Sequence, residues 1–169
     1  MPRMTPSDVE RVCGLSSGGA NVCAFLDMLA WSEIGPELLA HSDDGYDVLV
    51  GSTGRAPLLF TGYATHPNVY SRRYNSTAAG RYQLLHRYWP AYRDLLHLPD
   101  FGPVSQDRVA IQQIREQHAL ADVIAGKLVD AIGNVSNIWA SLPGAGYGQH
   151  EHHIDDLRAA YLAAGGTLA

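Results

Sequence analysis

From Val22 to Ser32 the chain reads Val-Cys-Ala-Phe-Leu-Asp-Met-Leu-Ala-Trp-Ser, apolar almost all the way round a helix and interrupted by Asp27. Such a run predicts a buried helix, and Asn21 is placed to be its N-cap. Glu33 stands where the run gives out, two residues after Trp31, and Gly35-Pro36 then breaks the pattern. The polar stretch His41–Gly45 leads into Tyr46–Gly51, which reads as a strand; Leu58–Phe60, set off by Gly54 and Pro57, is its candidate hairpin partner. Loops are expected from there to Ala79.

Helical spacing returns at Tyr82, with Leu84, Leu85, Tyr88, Tyr92, Leu95 and Leu96 on one broad face, and Pro90 should kink that helix or start a second. Ser105 is a candidate cap for a helix through Glu116 that buries Ala110, Ile111 and Ile114. Further helices are predicted over Leu120–Ala125 and Leu128–Leu142. A last one turns Ile154, Leu157, Tyr161 and Ala164 inward and stops at Gly165-Gly166. The stretch before Asn21 is short of large apolar residues and ends in Gly14-Leu15-Ser16-Ser17-Gly18-Gly19, which suggests a flexible arm over residues 1–20 ahead of one domain over 21–169. The pattern as a whole is α+β, mostly helical, with a small early β-hairpin lobe and a helical lobe, and without an internal repeat.

At 169 residues the chain suits one domain with a sizeable core. The two cysteines, Cys13 and Cys23, do not make a disulfide framework and point to synthesis in a reducing compartment. No apolar run reaches membrane-spanning length, and the first twenty residues lack the apolar stretch of a signal peptide. Stable membrane insertion is therefore not expected. Net charge is −5 but unevenly spread: Val48–Arg93 holds six arginines and no acidic residue, among Tyr63, Tyr70, Tyr74, Tyr82, Tyr88, Tyr92 and Trp89. Arginines among aromatics suit an anionic polymer, whether nucleic acid or an anionic glycan. The acidic remainder of the chain argues against nucleic acid.

Four groups of residues compete for the chemistry. His150-Glu151-His152-His153 fits neither order of the common zinc motifs and reads as a helix start, so no metal is expected. No serine lies in a G-x-S-x-G turn, and Cys23 inside an apolar helix reads as packing. Pro143–Gly148 is glycine-rich but too short, and without the lysine, for a phosphate-binding loop. Glu33 is different. A carboxyl at the end of an apolar helix is costly to ionise unless paired, and one that keeps its proton near neutral pH is a general acid. An acid beside an indole is one known way to cleave a glycosidic bond. Asp43, Asp44 and Asp47 follow closely enough to supply a second carboxylate, with Asp47 alternating against Tyr46 and Val48 along the strand.

The segments AFLDMLAWSE (24–33), GYDVLVG (45–51), STAAGRYQLL (76–85) and SNIWASLPGAGYGQ (136–149) closely resemble the endolysins of lambda-like bacteriophages, lytic transglycosylases of glycoside hydrolase family 104. The resemblance runs from about Val22 to Gly166, with the segments in matching order. It implies a lysozyme-like fold and places the catalytic acid on Glu33. It also implies cleavage of the bond between N-acetylmuramic acid and N-acetylglucosamine without water, leaving a 1,6-anhydro ring. One carboxyl can act there as acid and then as base, which makes Asp47 a substrate binder and not a nucleophile. Tyr82 and Gln83 become cleft residues, Gln83 through the sugar's N-acetyl group, and Tyr147 the centre of a lid loop.

Other expectations follow from the same resemblance. The substrate is the glycan strand of peptidoglycan, no cofactor is needed, and the protein acts as a monomer. It is made in the host cytoplasm and reaches the wall in the periplasm through lesions made by a holin. The alternatives are a hydrolytic muramidase using Asp47 or another carboxylate, and a non-catalytic glycan-binding module. The chain departs from the family pattern in three places. Ile34-Gly35-Pro36 follows the glutamate where the family commonly has Gly-Thr, the loop His66–Asn75 is short, and the stretch before Asn21 has no counterpart.

Overall fold

The computed structural model describes residues 3–144 and 152–169. Eight α-helices are seen among them: α1 (Pro6–Cys13), α2 (Gly19–Ile34), α3 (Pro36–Ala40), α4 (Trp89–Leu96), α5 (Pro103–Glu116), α6 (Leu120–Ala125), α7 (Leu128–Val135) and α8 (Ile154–Ala163). A 3-10 turn, His86–Tyr88, leads into α4. The chain divides into two compact units, one of residues 34–109 with Arg3, the other of Met4–Glu33 and Ala110–Ala169.

In the second unit α2 is buried on nearly every face, through Val22, Ala24, Phe25, Leu26, Met28, Leu29 and Ala30. A helix apolar all round is stable only as the centre of a packed body. Asn21 does not cap it. The helix begins at Gly19, whose amide donates to Glu10 Oε1, so Asn21 falls inside the first turn. There its side chain donates to the Ile124 carbonyl and accepts from the amide and hydroxyl of Thr167, tying three distant segments. The stretch expected to be an arm contains α1, closed by a reciprocal capping box between Thr5 and Asp8, with Pro6 in its first turn and Val9 fully buried. Leu157 and Tyr161 of α8 are buried as expected, and the Tyr161 hydroxyl donates to the Thr167 carbonyl. The helix predicted over 128–142 ends at Val135.

The first unit is built on Ala79, Leu84, Trp89, Leu98, Phe101 and Val109, with Leu49, Phe60, Tyr92 and Leu96 packed against them. Trp89 meets Phe101 edge-on with ring centroids 5.0 Å apart, and its indole N–H donates to Thr65. The expected hairpin exists as a pairing and not as two full strands. Val48 bridges Leu59, the Leu49 amide donates to the Leu58 carbonyl, and that of Phe60 to the Asp47 carbonyl. Leu49 also bridges Ala79, which bridges Leu84.

That last bridge explains why the helix expected from Tyr82 begins later. Residues 79–84 form a tight turn, with Gly80 at φ +80° and Gln83 at φ +49°. A Cβ on Gly80 would lie 2.2 Å from Gln106 Oε1, which accepts from the Arg81 amide. Pro90 sits in the first turn of α4, where its missing amide costs nothing. Ser105 is not a cap either: α5 starts at Pro103, and the Ser105 hydroxyl donates to Asp100.

Candidate active site

Glu33 is the penultimate residue of α2 and half-buried. Burial pushes its carboxyl above the usual carboxylate range, and hydrogen bonds from Ser141 pull partly the other way. The helix adds to the first effect, because its C-terminal end carries partial negative charge. No ion pair reaches Glu33 among the described residues. Its Oε1 accepts from the Ser141 hydroxyl at 2.5 Å and, at 3.4 Å, from the Ser141 amide. The Ser141 oxygen in turn accepts from the buried hydroxyl of Ser32 at 2.6 Å. The two serines thus form a one-way chain of donors ending on one oxygen of the carboxyl.

The backbone around this cluster has its own device. In a continuing helix the Ser32 carbonyl would accept from the amide of residue 36, but that residue is Pro36 and has none. His152 fills the gap: its Nε2 lies 3.2 Å from the Ser32 carbonyl, so this nitrogen carries the proton and donates. The imidazole also packs on Trp31, with centroids 4.7 Å apart, and the His152 amide donates to the Ser141 carbonyl. After Ile34 the chain reverses at Gly35, whose φ of +83° suits glycine, and re-enters helix at Pro36.

The structure brings Glu33, Ser32, Ser141 and His152 together in one unit; Asp47, Tyr82 and Gln83 belong to the other. Asp47 alternates with buried Tyr46 and Val48 as expected and is half-buried, its Oδ1 accepting from the Asp43 amide. Gln83 is half-buried and donates its side-chain amide to the Gly80 carbonyl, bracing the turn it sits in. Tyr82 is held from within its own unit. It is 6% exposed, and its hydroxyl donates to the buried Asp107 at 2.7 Å, beside Tyr46, which does the same at 2.9 Å. Its phenol hydrogen-bonds within the core of its unit. Tyr147 lies outside the described residues.

Sequence reasoning did not single out Ser32, Ser141 or the role of His152. Ser32 is Glu33's neighbour and Ser141 lies within the SNIWASLPGAGYGQ segment, so both were in view. The missing amide of Pro36 was the available signal that some other donor must reach the end of α2.

A helical body around an almost wholly apolar helix ending in a protonation-prone carboxyl, with a small bridged unit beside it in sequence, defines a lysozyme-like protein. A lambda bacteriophage lysozyme structure, described as complexed with a chitohexasaccharide, matches with a TM-score of 0.79 and 50% identity, covering 89% of this chain and 97% of that one. A second structure of lysozyme from bacteriophage lambda matches with a TM-score of 0.75 and 49% identity over the same shares. The family profile described as Endolysin matches residues 23–168. The endolysin of Escherichia phage P2 is 50% identical over 157 residues, 88% of this chain and 95% of that protein. That of Escherichia phage lambda is 52% identical over 149 residues, 86% and 91%. The chain belongs to the endolysin family.

Proposed function

We propose that this endolysin degrades bacterial peptidoglycan by non-hydrolytic cleavage of the β-1,4 bond between N-acetylmuramic acid and N-acetylglucosamine. The chito-oligosaccharide described with the lambda lysozyme supports a β-1,4-linked amino-sugar chain as substrate. The state of Glu33 carries the chemistry: half-buried, at the negative end of a helix and with no ion pair among the described residues, it favours the protonated acid. The acid gives its proton to the glycosidic oxygen as the bond from that oxygen to C1 breaks. The carboxylate left behind then takes the proton of the same muramic residue's C6 hydroxyl as O6 bonds to C1. Glu33 ends as it began, no water is consumed, and the product carries a 1,6-anhydro ring. Because the nucleophile belongs to the substrate, proximity replaces a second catalytic carboxylate.

Asp47 and Gln83 are assigned to holding the glycan, and Tyr147 to a loop that closes over it. In this reading the protein works as a monomer with neither metal nor cofactor. It is made in the host cytoplasm and reaches the periplasmic wall through lesions opened by a holin. Among the described residues no helix is long and apolar enough to cross a membrane.

Digestion of purified peptidoglycan, followed by mass spectrometry of the released fragments, tests the reaction. Fragments one water lighter than reducing-end products are expected; reducing ends would make the enzyme a hydrolase and overturn the single-acid scheme. Glu33→Gln is expected to lower the rate by roughly 10³-fold, the scale of a general acid, with the circular dichroism spectrum unchanged. Full activity in that variant would remove Glu33 from the chemistry.

A further inference from the structure

The two oxygens of Glu33 are not equivalent. Oε1 accepts from both the hydroxyl and the amide of Ser141, whereas Oε2 receives no hydrogen bond among the described residues. The Ser141 hydroxyl has one proton. Its oxygen already accepts from Ser32, so that proton points at Glu33. A proton on Oε1 would face two donors and break this order; a proton on Oε2 leaves every bond intact. Chains of hydroxyls polarise one another, so the Ser32 contact makes Ser141 a better donor than an isolated serine.

We propose that Ser141 is a positioning residue for Glu33, and that with Ser32 behind it Ser141 confines the acid's proton to Oε2 and aims that oxygen at the glycosidic bond. The inference rests on the reading of Glu33 as the catalytic acid. It adds a division of labour: Oε1 is the anchored oxygen, and Oε2 delivers and later recovers the proton. Ser141 also moderates the acid. Burial favours the protonated form, and the bonds from Ser141 favour the carboxylate needed for the second half of the reaction. Among the described residues, the titratable side chain packed on the cluster is His152, on the Ser32 carbonyl and the Trp31 ring; it donates there and touches neither oxygen of Glu33.

The test is the pH dependence of cleavage of soluble glycan strands by Ser141→Ala, Ser141→Thr and Ser32→Ala. In Ser141→Ala the alkaline limb of kcat/KM, which reports loss of the acid's proton, is expected to move to higher pH by about one unit, because a donor to the carboxylate has gone. With the carboxyl no longer held, kcat is expected to fall roughly 10- to 100-fold with little change in KM. Ser141→Thr keeps the hydroxyl and restores both. Ser32→Ala leaves Ser141 in place and moves the limb the same way by less, which keeps the idea testable should Ser141→Ala fail to fold.

An unmoved alkaline limb in folded Ser141→Ala and in Ser32→Ala would overturn the positioning role. Failure of the underlying reading looks different: Glu33→Gln would then keep its activity, whatever the serine variants do.

Discussion

Glu33 and Asp107 are both carboxyl groups drawn out of water, and both are served by hydroxyl donors, yet the protein treats them in opposite ways. Asp107, 2% exposed, accepts from the phenols of Tyr46 and Tyr82 on one oxygen. Burial, followed by the nearby Asp107 charge, raises both phenols far above their ordinary range, so they remain donors at any working pH. The Arg81 guanidinium lies over the Tyr46 ring at 5.1 Å and pairs with Asp44 at 2.6 Å. Glu33 has a serine chain on one oxygen and, among the described residues, no ion pair. Two fixed phenol donors in the core make the Asp107 carboxyl structural. A carboxyl at a negative helix end, served by a single serine, is left with a proton that is available.

The widest gap between the two should appear on truncation. Asp107→Ala leaves two buried phenols without an acceptor and is expected to cost roughly 3 kcal/mol, a fall in Tm of about 6–12 °C for a chain of this size. Urea unfolding measures it, and a loss below about 1 kcal/mol would show that the phenols find other partners.

Tyr82→Phe probes the same network more gently. Loss of one buried hydroxyl bond is expected to cost about 1–2 kcal/mol while leaving the KM for glycan unchanged. A raised KM with unchanged stability would make Tyr82 a glycan contact and not a support of Asp107.

The smallest effect has the opposite sign. The folded-state pKa of Glu33 is raised, so the stability it permits is fully present below its ordinary value of about 4.5 and is lost as pH rises through the folded value. Glu33→Gln never ionises. Its unfolding midpoint is expected to match the wild type in acid and to exceed it at alkaline pH, so that removing the acid stabilises the protein where removing Asp107 destabilises it. Equal midpoints across that range would mean that Glu33 is no harder to ionise in the fold than in the unfolded chain.

How much of this could be read from the chain depended on the range of the interaction. The helix ending at Glu33 was legible because its apolar residues run without a break, and the 48/59 pairing because a turn joins two short apolar runs. Tyr82 was misread because its spacing to Leu85 and Tyr88 imitates a helix, while the left-handed backbone at Gln83 leaves no trace in residue type. Helix α1 was missed despite a legible signal, Thr5-Pro6-Ser7-Asp8, because its apolar content is too low to stand out by pattern. Ser141 was beyond reach: 108 residues separate it from Glu33, and only the folded chain brings its hydroxyl to the carboxyl.

The proline after the apolar helix also has a consequence for the order in which the molecule is made. A ribosome finishes Pro36 long before the donor that closes the Ser32 carbonyl, which comes from His152, 120 residues beyond Ser32. Ser141, whose hydroxyl donates to Glu33, emerges only slightly sooner. Until both have been translated, the nascent chain holds Glu33 on an unfinished helix end.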